Sequence, residues 1–280
     1  MTGADTGARA FTAVVLAADR TAADAVAAQA GVACKAFAPV GGVPMILRVI
    51  AALQAAERVG RIVLCGPPAP LLGQLPELRR LIDAGQVGWR PSLGSPSQSA
   101  AAALGDIAPE VPVLLTTADH ALLRGEIVDD FLARSRSSGA DATVALVKHA
   151  IVHGRFPGTR RTVLRMRDGH VCTCNLFAFL SPRARDIVTL WRSVEQNRKV
   201  PRRMIARLLG IRGVAAYLLG RLSLETALRR ISAQVGAEVS AIAMPFAEAG
   251  VDVDTPADLA LVESLLRAGS GAQPESAQGS

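Results

Sequence analysis

Short apolar runs and longer amphipathic ones alternate along the chain. Phe11–Ala17 (FTAVVLA) is apolar, β-favouring and ends on small residues, which predicts a buried first strand. A loop is expected from Ala18 to about Pro39. Pro44–Ala56 (PMILRVIAALQAA) sets Ile46, Val49, Ile50 and Leu53 at helical spacing, with Pro44 in the first turn. Arg61–Cys65 (RIVLC) predicts a second buried strand, closed by Gly66-Pro67-Pro68. Ser97–Leu104 predicts a serine-capped helix start. Val111–Thr116 predicts a third strand, Gly125–Ser135 a helix and Ala142–Val147 another strand. This alternation implies βαβ units and a mainly parallel sheet, hence an α/β fold.

Thr162–Arg167 and His170–Leu180 predict a strand pair about the Asp168-Gly169 turn. Pro182 to about Gly236 reads as almost wholly helical. Val239–Met244 predicts a late strand. Val251-Asp252-Val253-Asp254 then leads into a last helix, Pro256–Arg267, with Asp258 as a first-turn acid. Residues 268–280 are rich in Gly, Ser, Ala and Gln and are expected to be disordered. With no internal repeat or long linker, one domain over residues 1–267 is expected, with a helical insertion at about 182–236.

Composition narrows the class. Half of the 280 residues are hydrophobic and few are aromatic, which suits buried parallel strands and stacked helices. Met1–Ala10 lacks the basic start and apolar core of a signal peptide. Met204–Leu222 is apolar but carries Arg207, Arg212 and Arg221, which argues against a membrane span. Cys34, Cys65, Cys172 and Cys174 form neither a zinc pattern nor a CxxC pair, so a reduced, cytoplasmic chain is expected. The net charge of +7 is uneven: from Arg155 to Arg230 there are 17 Lys/Arg against 4 Asp/Glu. A basic block beside an acidic remainder points to an anionic ligand.

Ligands of open α/β sheets sit beyond the carboxyl ends of the strands, and three predicted ends carry suggestive residues. After the first strand come Ala17-Ala18-Asp19-Arg20, then Lys35 and Gly41-Gly42; small residues let backbone N–H groups approach a nucleotide, and a lysine can offset phosphate charge. After the third comes Thr116-Thr117-Ala118-Asp119, where a carboxylate is placed to hold Mg²⁺. Before the last helix come Asp252 and Asp254, which strand alternation turns to one side. Helix capping would explain each acid singly. Their joint occurrence at these ends is harder to ascribe to capping.

These residues resemble the MobA-like NTP transferases, relatives of sugar-phosphate and molybdenum cofactor nucleotidyltransferases. The likeness rests on Val14-Val15-Leu16-Ala17-Ala18, Lys35, Gly41-Gly42-Val43-Pro44-Met45, Leu115-Thr116-Thr117-Ala118-Asp119 and Asp254-Thr255-Pro256-Ala257-Asp258-Leu259. The family's loop usually has Gly-Gly where this chain has Ala18-Asp19. The resemblance covers most of residues 10–265 and implies a three-layer, Rossmann-like GT-A fold. It further implies Mg²⁺-dependent transfer of a nucleotide from an NTP to a phosphorylated acceptor.

On this reading Lys35 and Arg20 neutralise pyrophosphate, and Asp119, Asp254 and Asp252 hold the metal. Ala17, Ala18, Gln98 and Ser99 meet the nucleotide. Asn175, Arg160, Arg161 and Lys199 meet the acceptor, a small molecule or one linked to lipid. Leu208, Leu209, Leu218 and Leu222 would pack on the sheet or hold an acyl or prenyl chain at a membrane surface. Nucleic acid is not expected, because few aromatics are available for base stacking. Two other classes stay open: a GT-A-like glycosyltransferase using an NDP-sugar, and a non-catalytic relative binding an anionic ligand or membrane.

Overall fold

The computed structural model describes residues 10–19, 24–159, 161–196, 210 and 212–270. Its first strand, β1 (Phe11–Leu16), lies between β4 (Val59–Cys65) and β6 (Val113–Thr117), parallel to both. Leu16 pairs with Cys65 on one side and Thr117 on the other. The carboxyl ends of these three strands are therefore level, and the loops leaving them share one rim of the sheet.

Beyond β4 lies the short β5 (Gly88–Arg90). Beyond β6 comes β9 (Gly169–Phe179), antiparallel to both neighbours, then β7 (Ala142–Lys148) and β10 (Val239–Met244). β8 (Leu164–Met166) pairs with β9 about the Asp168-Gly169 turn. β2 (Pro39–Val40) and β3 (Val43–Pro44) make a separate ribbon. The order β10-β7-β9-β6-β1-β4-β5 reverses direction at β1. Such a switch point opens a crevice at the strand ends.

Alternation along the strands divides the core. Ala13, Val15 and Leu114 join a large cluster with α2 (Met45–Ala55) and α5 (Gly125–Ser137), in which Ile46, Val49, Ile50 and Leu53 are buried as their spacing predicts. Burying each such side chain contributes roughly 1.5–3 kcal/mol. Val14, Val113 and Leu115 face the other way, toward α4 (Pro96–Gly105) and α7 (Asp186–Gln196).

Several short elements depart from the sequence reading. The segment expected to be loop between Ala18 and Pro39 contains α1 (Ala25–Ala30), capped by the Asp24 carboxylate and closed by Gly31 with φ 65°. It also contains a 3₁₀ turn at Lys35–Phe37. α3 (Pro76–Asp83) and α6 (His149–Arg155) were not predicted. Val251–Asp254 is extended yet no strand of the sheet, although Val253 N–H donates to the Asp119 carbonyl at 3.0 Å. The basic stretch is α7, helical residues 212–218 and α8 (Leu224–Val235). There Leu222 is buried whereas Leu218 is 78% exposed; Leu208 and Leu209 lie outside the described residues. α9 (Pro256–Ser270) completes the fold. No helix among the described residues is long and apolar enough to cross a membrane.

Candidate functional site

The rim above β1 is built from small residues because backbones crowd there. Ala17 N–H donates to the Cys65 carbonyl at 2.9 Å, and Ala118 N–H to the Leu16 carbonyl at 2.9 Å. Gly66, at φ 81°, brings its Cα so close that a Cβ would lie 3.3 Å from Ala18 Cβ and 3.4 Å from the Ala17 backbone. The left-handed angle favours glycine, and the close approach leaves a side chain little room. Asp19 is tied down next: both its oxygens accept the Lys35 backbone N–H, at 3.0 and 3.1 Å. The acid that replaces the expected glycine thus clamps the first loop to the 3₁₀ turn carrying Lys35. Burial raises its pKa, against the lowering by that N–H.

Lys35 Nζ then reaches across the rim. It lies 2.7 Å from Asp119 Oδ2 and 2.9 Å from Asp254 Oδ1. Both oxygens touch one nitrogen, so they are at most 5.6 Å apart. Burial would lower the pKa of the ammonium, but the two carboxylates outweigh it and hold the pKa above its ordinary value. Thr117 Oγ1 donates to Asp119 Oδ1 at 2.6 Å and orients that carboxylate. Asp119 begins no helix: α5 starts only at Gly125.

At α9 the capping is taken by other residues. Thr255 N–H donates to Asp258 Oδ2 at 2.9 Å, and Asp258 N–H donates back to Thr255 Oγ1 at 3.2 Å, a reciprocal box of the kind that satisfies first-turn donors. Asp254 is thereby left to face Lys35. Asp258 is the first-turn acid expected from sequence, and it is buried under this network.

Asp252 and Arg161 differ from their expected places. The Arg161 side chain is only 6% exposed and ion-pairs with both Asp252 and Asp258. A guanidinium so enclosed is occupied by the protein's own acids. Asp252 also accepts Asn175 Nδ2 at 2.8 Å. Burial, Asp254 and Asp119 push the Asp252 carboxyl up to about 6, against the lowering by Arg161. Among the described residues no three His, Cys, Asp or Glu side chains are disposed to hold one ion. The convergent pair is Asp119 and Asp254, without Asp252. Two carboxylates already gripping a cation fit Mg²⁺, which commonly takes one or two protein carboxylates beside substrate phosphates.

A cavity of about 670 Å³ opens over this cluster, lined by Ala17, Ala18, Asp19, Asp24, Asp119 and Asn175 among others. Asn175 enters it from an irregularity in β9, where register with β7 shifts and its φ is 49°. A second cavity of about 200 Å³ shares Leu16, Ala18, Asp19 and Pro96, and is lined further by Gln98, Ser99 and Glu195. Of the predicted nucleotide contacts, Gln98 faces this space. Ser99 is buried and occupied internally, accepting Leu93 N–H at 2.8 Å and donating to the Ser95 carbonyl at 3.1 Å. The cap of α4 is Ser95, not Ser97; Ser97 donates instead to Glu195 of α7. Arg20, Arg160 and Lys199 lie outside the described residues. Thr117 and Glu195 escaped the sequence reading. Thr117 was findable from its place two residues before Asp119, whereas nothing local marks Glu195.

A family model, the MobA-like NTP transferase domain, matches residues 13–239. The chain belongs to this family. As a MobA-like NTP transferase it is a nucleotidyltransferase. No curated protein matches its sequence. Among solved structures it is similar to a hypothetical transferase from Thermus thermophilus, with 32% identity, TM-score 0.74, and coverage of 89% of this chain and 99% of that one. Two others share the fold. CMP:2-keto-3-deoxy-manno-octonic acid synthetase complexed with CTP has 14% identity and TM-score 0.55, covering 94% and 100%. The 4-diphosphocytidyl-2C-methyl-D-erythritol synthase from Anaerococcus prevotii has 10% identity and TM-score 0.54, covering 92% and 96%. The MobA-like NTP transferase fold thus accounts for the parallel sheet and the position of the cavities above β1.

Proposed function

We propose that the protein transfers a nucleoside monophosphate from an NTP to a phosphorylated acceptor, with Mg²⁺ required. The observation that carries this reading is the Lys35 ammonium held between Asp119 and Asp254 at the rim of the larger cavity. An oxygen of the acceptor phosphate attacks the α-phosphorus in line. A P–O bond forms there as the bond to the β-phosphate breaks, and pyrophosphate leaves. The attacking oxygen is already anionic, so no side chain need take a proton. The protein's task is alignment and charge compensation.

Lys35 supplies the positive charge. Its ammonium can turn from the two aspartates to the β- and γ-phosphates while Asp19 keeps its backbone fixed. Asp119, oriented by Thr117, and Asp254 would hold Mg²⁺, which supplies charge compensation on the phosphate oxygens when bound. Backbone at Ala17 and Ala18 lies level with the strand ends, where the triphosphate would run. Gln98 faces the smaller cavity, which suits the base. Asn175 keeps its carbamoyl oxygen for the acceptor while its amide nitrogen is anchored on Asp252.

Incubation with each common NTP, Mg²⁺ and a panel of phosphorylated acceptors tests the proposal by pyrophosphate release. Release with one NTP–acceptor pair supports it. Transfer from an NDP-sugar without pyrophosphate would point to the glycosyltransferase alternative instead.

A further inference from the structure

The larger cavity has two chemically distinct ends. Its charged lining residues, Asp19, Asp24, Lys35, Asp119 and Asp254, all lie beyond strand ends. The opposite wall comes from the sheet face and α7: Leu16, Leu115, Phe177, Ile187, Val188 and Trp191. Leu115 and Val188 are buried in the smaller core, whereas Leu16, Phe177, Ile187 and Trp191 pack against it only in part and leave apolar surface on the cavity. Four large apolar side chains incompletely covered beside a reactive cluster mark a binding surface rather than a finished core.

Resting on the function proposed above, we infer that this end receives the hydrocarbon part of the acceptor. The acceptor would then be a phosphate monoester carrying an alkyl or isoprenoid-like group. Its phosphate reaches the Lys35 end while its chain lies between β9 and α7. The larger cavity's other polar side chains are Thr116, Thr117 and Asn175, of which Thr117 bonds Asp119 and Asn175 bonds Asp252. Gln98, Ser95 and Glu195 face the smaller cavity, where a base can find hydrogen bonds. A sugar placed against Phe177, Ile187 and Val188 would bury hydroxyls that these side chains cannot pair.

Trp191 provides the readout. The other tryptophan, Trp89, donates its indole N–H to the Pro67 carbonyl at 3.1 Å and does not line the cavity. In a Trp89→Phe background the emission of Trp191 reports occupancy directly. With Mg²⁺ present, alkyl phosphates from ethyl to decyl are titrated, beside ribose and glucose phosphates and the NTPs alone; wild-type protein is titrated in parallel by calorimetry. The expected result is an affinity rising about three- to fourfold per methylene until the chain fills the cavity, with weak binding of the sugar phosphates. Ile187→Asn should flatten that series, lowering the affinity for decyl phosphate far more than that for ethyl phosphate. Affinity independent of chain length would overturn the inference. So would a Trp191 response to NTP alone with none to alkyl phosphates, since the nucleotide would then own this space. The same acceptors are run for pyrophosphate release. Release with a sugar phosphate and a flat alkyl series leaves the proposed reaction standing and removes the hydrocarbon acceptor. A steep series without release under any NTP does the reverse.

Discussion

Both oxygens of the Asp19 carboxylate accept the backbone N–H of Lys35, so the loop after β1 and the turn carrying the lysine are held as one piece. Asp19→Ala removes that clamp without touching Nζ. Small misplacements at a reacting centre cost up to about 100-fold, so kcat/KM for pyrophosphate release should fall about 10- to 100-fold in this variant. Asp19→Asn keeps an acceptor and should retain most activity. Equal losses in the two variants would mean that the negative charge, rather than the clamp, matters.

Asp119→Asn should lower turnover about 1,000-fold or more while leaving the urea midpoint near that of the unaltered protein. The substitution keeps an oxygen for Thr117 and Lys35 to donate to, and Lys35 retains Asp254 as its counter-ion, so no charge is left unpaired and the folded state loses little. Mg²⁺ gives a second readout. Binding to the folded state alone raises stability by mass action, so Mg²⁺ should raise the melting temperature of wild type and not of Asp119→Asn. A folded Asp119→Asn protein with ordinary turnover would remove Asp119 from the reaction.

Much of this site was legible because it obeys rules that act locally. Asp119 and Asp254 were found by their positions beyond apolar runs, and Lys35 by its place before Gly41-Gly42. Of the two cap candidates, Asp254 and Thr255, the structure uses Thr255, which caps α9 reciprocally with Asp258 and leaves the Asp254 carboxylate on Lys35. The burial of Arg161 was not legible because a buried arginine and a surface arginine are identical in sequence. Only the fold brings it to Asp252 and Asp258. The apolar end of the cavity was hidden for a similar reason: Leu115, Phe177 and Trp191 meet through tertiary structure alone. Among elements, α1 was missed because six residues rich in alanine carry no apolar period, although Asp24 and Gly31 were cap signals. β5, three residues long, is too short for alternation to register.

Arg161→Ala separates a structural arginine from an acceptor-binding one. Removing one partner from a buried ion pair costs about 3–5 kcal/mol, because the remaining charge is left unpaired. With Asp252 and Asp258 both facing the gap, the unfolding free energy from urea titration should drop by an amount in that range, lowering the midpoint. A surface arginine that bound only acceptor would leave the midpoint in place and raise KM instead.

His120 gives the fold its own acid limit. The ring is 1% exposed, and neither nitrogen has a hydrogen-bond partner among the described residues. The backbone at Glu248 and Ala249 is near enough to favour a proton but not at hydrogen-bonding geometry. Burial outweighs that pull and the attraction of Asp119, and the pKa falls to about 4. The two states differ in when they take the proton. Unfolded, the imidazole takes it near pH 6.5; folded, it stays neutral down to about 4. Between these values the unfolded chain binds the extra proton, so stability is fully present above about pH 6.5 and declines as pH falls toward 4. A difference of this size corresponds to about 3 kcal/mol at most. Chemical denaturation at a series of pH values should show that decline, and His120→Gln, which cannot titrate there, should remove most of it whatever its effect at neutral pH. If the decline persists unchanged in a folded His120→Gln protein, the acid sensitivity resides in other groups.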